Sequence, residues 1–77
     1  MTIYEYLELL NNYEIICSLF DCNTEELVAI DGETNFGRYE LIQSDYADYE
    51  IFSMDMWIEH NTIHIEFNIE VEEDYEY

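Results

Sequence analysis

From Thr62 to Glu72 apolar and polar residues alternate without a fault over eleven positions. Ile63, Ile65, Phe67, Ile69 and Val71 share one parity; Thr62, His64, Glu66, Asn68, Glu70 and Glu72 share the other. A helix would scatter these residues around its axis, whereas a strand sends them to opposite faces. The segment is therefore read as a strand with one buried and one wet face. Just before it, Phe52, Met54, Met56 and Ile58 alternate with Ile51, Ser53, Asp55, Trp57 and Glu59. His60-Asn61 separates the two runs at hairpin spacing. With Met54 and Met56 inward, Trp57 falls on the polar face with Ile51. It is there either an exposed interface anchor or covered by a helix or loop.

The other end of the chain has helical periodicity. Thr2-Ile3-Tyr4-Glu5 fits a capping box, and Ile3, Tyr6, Leu7 and Leu10 recur at helix spacing. The pattern predicts a helix over residues 2–11, with Asn11-Asn12 as its stop. Between the ends, three runs rich in strand-formers predict strands at 13–20, 26–30 and 38–43, the first covered in part on both faces. Asp31-Gly32 is a turn dipeptide. Ser44 to Tyr49 reads as a polar, aromatic connection in which Ser44 caps a short helical turn, and Tyr46, Tyr49 and Phe52 as candidate core. The expected fold class is α+β: one domain, 1–77, with an N-terminal helix packed on a mostly antiparallel sheet of about four strands that ends in a long hairpin.

Composition decides the partner class. The 77 residues contain 20 acids and one basic side chain, Arg38, for a net charge of -19. One Arg cannot build a Lys/Arg grip on DNA, RNA or an anionic membrane. No stretch approaches the ~18 apolar residues of a membrane span. The N-terminus has no basic signal-peptide region, so the expectation is a cytoplasmic protein, with Cys17 and Cys22 reduced. Disorder is not expected, because acidic disordered chains are poor in aromatics and here 17% of residues are aromatic.

No chemistry-bearing constellation stands out, and the expectation is no enzyme, no cofactor and no metal. The only glycines are Gly32 and Gly37, too few for a phosphate loop. Cys17-x4-Cys22 with His60-x3-His64 resembles a zinc set only superficially, since the two histidines would lie ~13 Å apart on a strand. Asp31, Glu33 and Asn35 alternate like calcium ligands. Phe36 then stands where a calcium loop has its glycine, and Ile42 where it has its bidentate Glu. Arg38 is read as a counter-charge to Glu40 or another acid.

The excess charge itself is the candidate functional object. Solubility needs a net charge of only about 2 to 8, and the surplus costs stability by self-repulsion. Carboxylates at i and i+2 on a strand share a face, ~6.5 Å apart, while DNA carries a charge per ~3.4 Å along each strand. Glu66, Glu70 and Glu72, with Asp55 and Glu59 on the neighbouring strand, form such an array. Asp45 and Asp48 adjoin it, and with Trp57 these residues make up the expected partner-binding site.

In length, acidity, absence of Lys and α+β build the chain resembles the small acidic DNA-mimic inhibitors of phages and mobile elements, of the anti-CRISPR and anti-restriction type. The resemblance implies a basic nucleic-acid-binding partner, a CRISPR effector, whose DNA- or PAM-binding groove the acidic surface occupies in place of target DNA. It implies that the cytoplasm is that of a bacterial host. It implies no direct contact with nucleic acid or membrane, and leaves the oligomeric state open. Two other classes fit the same composition: an immunity protein or antitoxin covering the basic groove of a nuclease toxin, and a calcium-binding or generic acidic accessory module.

Overall fold

The computed structural model describes residues 1–10 and 12–71. Thr2 opens the first helix as its sequence requires. Its hydroxyl accepts from the Glu5 N–H at 3.2 Å, and Glu5 Oε1 accepts from the Thr2 N–H at 3.0 Å. Helix α1 spans Ile3–Leu9, shorter than the expected 2–11, and closes on Leu10. Ile3 and Leu7 are buried, and Tyr6 and Leu10 pack beside them, so the expected stripe is the one that meets the sheet.

The sheet has four strands: β1 (Ile15–Asp21), β2 (Phe36–Gly37), β3 (Ser53–Glu59) and β4 (Thr62–Ile69). Their order is β2-β1-β4-β3. β3 and β4 form the expected antiparallel hairpin, with Glu59 opposite Thr62 and Asp55 opposite Glu66. His60 and Asn61 turn it with φ values of 52° and 64°, the left-handed pair that a two-residue hairpin turn needs.

The sheet is mostly antiparallel, as expected, in its β1–β2 and β3–β4 pairs, but its central pair is parallel. β1 and β4 run parallel in register from Ile15 opposite Ile63 to Asp21 opposite Ile69. Alternation reports which face a side chain takes and not which way the neighbouring strand runs. The two most apolar strands take the central places because only there can Ile15, Cys17 and Leu19 and the Ile65-Phe67-Ile69 face be buried together.

Two expected strands do not form as such. Residues 26–30 contribute isolated bridges only, Leu27 to Phe20 and Ile30 to Glu33, around a turn in which Asp31 and Gly32 have φ values of 52° and 83°. Arg38–Ile42 is a second helix, α2. The six residues 38–43 are too few for period to separate helix from strand, and Arg, Glu and Leu favour the helix. The Gly37 N–H at its start donates to Glu40 Oε1 at 3.5 Å.

A short 3-10 turn at Asp45–Asp48 is capped by Ser44, whose hydroxyl accepts from the Tyr46 N–H. The two helices and this turn pack against one another and cover one face of the sheet. Phe67, Leu19, Leu41 and Cys17 lie fully buried between the layers. Arg38 fastens the layer together. Its Nε donates to the Leu7 carbonyl at 3.0 Å and its Nη2 to Glu8 at 3.3 Å, so the counter-charge is Glu8 and not Glu40. Among the described residues, no helix is long and apolar enough to cross a membrane.

Candidate functional site: the uncovered sheet face

Helices cover one side of the sheet, so the opposite side is presented outward. As expected, β1 is covered in part on both faces: on the outward one Ser18 and Phe20 are half-buried and Ile16 is 39% exposed. Parity and register build this face in rows. Ile16 stands opposite His64 and His64 opposite Trp57. The next row is Ser18, Glu66 and Asp55, and the third is Phe20, Asn68 and Ser53. The expected polar parity of β4 is therefore the outward one.

Trp57 is 43% exposed. Its ring stacks on His64 with centroids 5.4 Å apart and planes 6° from parallel, so its cross-strand neighbour covers one face of the ring. Ile51 does not share its face: Ile51 packs on the core while Phe52 is 73% exposed. Asn68 is opposite Ser53 and also accepts from the Phe52 N–H at 2.8 Å. Two residues on one strand facing one on the other make a bulge, which shifts side-chain phase by one position. The same shift removes Phe52 from the candidate core, while Tyr46 and Tyr49 pack against it.

Asp55 and Glu66 are directly opposite across the β3–β4 ladder. Such neighbours have Cβ atoms ~5 Å apart, and two like charges there are destabilising. Glu59 follows at the hairpin end of the same face. Toward the other end, Asp55 and Glu66 border a depression of about 420 Å³ that Phe20, Glu25 and Phe52 also line. Glu25 was not anticipated: it reaches this place because the chain reverses after β1, where the Glu25 N–H donates to the Asp21 carbonyl at 2.7 Å and φ is 60°. The Asp21 carboxylate is buried and accepts from the Asn23 N–H at 2.9 Å, the Asx-turn bond that the turn-like Asp21-Cys22-Asn23 run offers.

The other expected site residues do not join this array. Glu70 borders a second depression with Asp48, Tyr49 and Glu50. Asp45 is exposed at the start of the 3-10 turn, in the helical layer. Glu72 lies outside the described residues, as do Asn11 and the rest of the tail. The expected single surface is thus an open-face group of Asp55, Trp57, Glu59 and Glu66 and a separate group of Asp48 and Glu70, to which Glu50 belongs.

Among the described residues, permanent cations reach the Asp48–Glu70 group at Glu50 but do not pair with the open-face group. Among the described residues, the N-terminal ammonium pairs with Glu50 at 2.9 Å and Arg38 with Glu8 at 3.3 Å. The Glu50 carboxylate raises the pKa of that ammonium. At α1 the Thr2 backbone N–H holds the Glu5 carboxyl below its ordinary value. No group of three His, Cys, Asp or Glu side chains among the described residues is placed to hold a metal ion. His60 stands in the exposed turn and His64 under Trp57, and Cys17 is buried while Cys22 is half-buried. Burial pushes the Cys17 thiol up to about 12. Comparison of the chain with protein-family models, curated proteins and solved structures returned no match.

Proposed function

We propose that the protein is an inhibitor of the anti-CRISPR type that acts as a nucleic-acid mimic, its acidic surface occupying the basic DNA- or PAM-binding groove of a CRISPR effector. The observation that supports this reading is the Asp55–Glu66 pair on an uncovered sheet face. The pair costs folding energy, and no cation among the described residues repays it. A basic groove repays it on binding. The carboxylates stand on paired strands, so their spacing is held by backbone hydrogen bonds and little ordering is needed on association. Trp57, beside them, offers a flat surface to an Arg side chain of such a groove.

The test is plasmid interference in cells carrying one effector at a time, across single-protein and multisubunit effector types. The expected result is restored transformation with one of them, lost in the Asp55→Lys/Glu66→Lys variant. Displacement of labelled target DNA from that purified effector by the wild-type protein identifies competition as the mechanism. Full interference with every effector type overturns the reading.

A further inference from the structure

β3 is the outermost strand of the sheet, and among the described residues no strand lies beyond it. Natural edge strands are guarded by charged side chains (Lys above all), Pro, bulges, extreme shortness or a covering element; here the bulge lies at Phe52, before the strand begins, and the charges are carboxylates. β3 is seven residues long, and the chain holds no Lys and no Pro.

The two-residue hairpin makes Glu59–Thr62 a hydrogen-bonded pair, and the ladder then alternates. Trp57, Asp55 and Ser53 bond inward to β4, and Met54, Met56 and Ile58 turn their backbone N–H and C=O groups to the free edge. Their side chains are on the helix side of the sheet, but the helical layer stops short of the hairpin tip. Met56 is 50% exposed and Ile58 74%. With Leu10, Tyr13, Ile63 and Trp57 they line an apolar depression of about 570 Å³.

A strand laid on this edge meets two different surfaces. On the helix side its residues pack beside Met54, Met56 and Ile58. On the open side they stand beside Asp55, Trp57 and Glu59. The complementary sequence therefore alternates apolar and basic residues. A second copy of this chain fits the first surface and not the second, because each copy carries a net charge of -19 and like-charged bodies repel. The charge thus does what Lys or Pro does on other edges: it keeps copies apart while leaving the strand open to a cation.

We infer that the outer edge of β3 is the docking strand for an extended, basic segment of a partner protein, added to the sheet by backbone hydrogen bonds. This rests on the reading of the partner as basic and names how part of it is held. Apolar contact at Met56 and Ile58 and main-chain bonds give register, and Asp55, Glu59 and Trp57 select Arg or Lys at alternate positions.

The test uses three nine-residue peptides with the whole protein. One alternates Arg and Val, one has the same composition in two blocks, and one is the alternating peptide N-methylated at its Val residues, whose N–H groups face β3 when the peptide adds antiparallel with Val beside Met54, Met56 and Ile58. Labelled-peptide anisotropy is expected to show the alternating peptide binding at least about tenfold tighter than the block peptide, with N-methylation removing the difference. Met56→Pro, which deletes an edge N–H, is expected to do the same; if that variant unfolds, the N-methylated peptide still decides. Equal, salt-sensitive affinity for the alternating and block peptides overturns the docking strand while leaving the acidic surface as the binding determinant. No binding of either peptide, even at low salt, overturns the basic-partner reading itself. A dimer in sedimentation at physiological salt that Met56→Pro disrupts overturns the assignment of the occupant in favour of a second copy.

Discussion

Asp55 faces Glu66 across the β3–β4 ladder, a like-charge pair at the middle of an uncovered sheet face. Cross-strand pairs contribute about 0.2–1 kcal/mol, with the sign set by the charges. Asp55→Lys converts repulsion into attraction. It is expected to raise stability by about 1 kcal/mol, or roughly 4–8 °C in melting temperature for a domain of this size. The same change is expected to weaken partner binding. Thermal melts and a competition assay on one preparation check both, and a fall in stability or unchanged binding contradicts the assignment.

Arg38 is the one basic side chain, and it joins α2 to the end of α1 through the Leu7 carbonyl and Glu8. Its side chain is three-quarters covered. Arg38→Met keeps much of the stem and removes both bonds. The expected cost is about 1–3 kcal/mol, since the hydrogen bonds of a charged donor are lost, although the Leu7 carbonyl still accepts from the Leu10 N–H at 3.1 Å. Glu8→Gln, which loses only the exposed ion pair, is expected to cost less than about 1 kcal/mol. Urea denaturation of the two variants compares them.

Salt is expected to act with opposite sign on folding and on binding. Self-repulsion of the free protein is screened within about 8 Å at physiological ionic strength, so its melting temperature rises with added sodium chloride. Association with a basic partner is steered by the same charges, so its rate and affinity fall. Melts and binding titrations across one salt series measure the two trends, and binding that ignores salt points instead to the apolar patch at Met56 and Ile58.

Cys17 holds its proton to about pH 12 because the thiolate would be buried. Its folded value lies above the ordinary 9.0, so the native state binds more protons than the unfolded chain between those limits. Stability is then unaffected by this group below about pH 9 and falls above it, by up to about 1.4 kcal/mol per pH unit. Denaturation from pH 8.5 to 10.5 is expected to show the fall, and Cys17→Ala to flatten it. At pH 8 a maleimide is expected to label half-buried Cys22 quickly and Cys17 only on unfolding; equal labelling contradicts the burial.

Much of the fold was legible because local physics is enough to specify it. The Thr2–Glu5 box, the Ile3-Tyr6-Leu7-Leu10 stripe, the hairpin and its turn depend on residues near in sequence, and each appears where the pattern puts it. Of the candidate site, the outward parity of Asp55, Trp57, Glu59 and Glu66 was equally legible, since a strand's period is two. The sequence by itself also determined the net charge.

Only the tertiary structure decided the rest. Alternation has no direction, so the parallel pairing of β1 with β4 came from burying the two most apolar strands together in the middle of the sheet. Residues 38–43 were too few for their period to speak, and packing of Leu41 and the reach of Arg38 to Leu7 made them helical. The bulge at Phe52, invisible in composition, exchanged the faces of Ile51 and Phe52. The chain reversals brought Glu25 to Asp55 and Glu66 and sent Glu70 to Asp48. These are contacts between residues far apart in sequence, and their energies depend on what each surface meets once the core has closed.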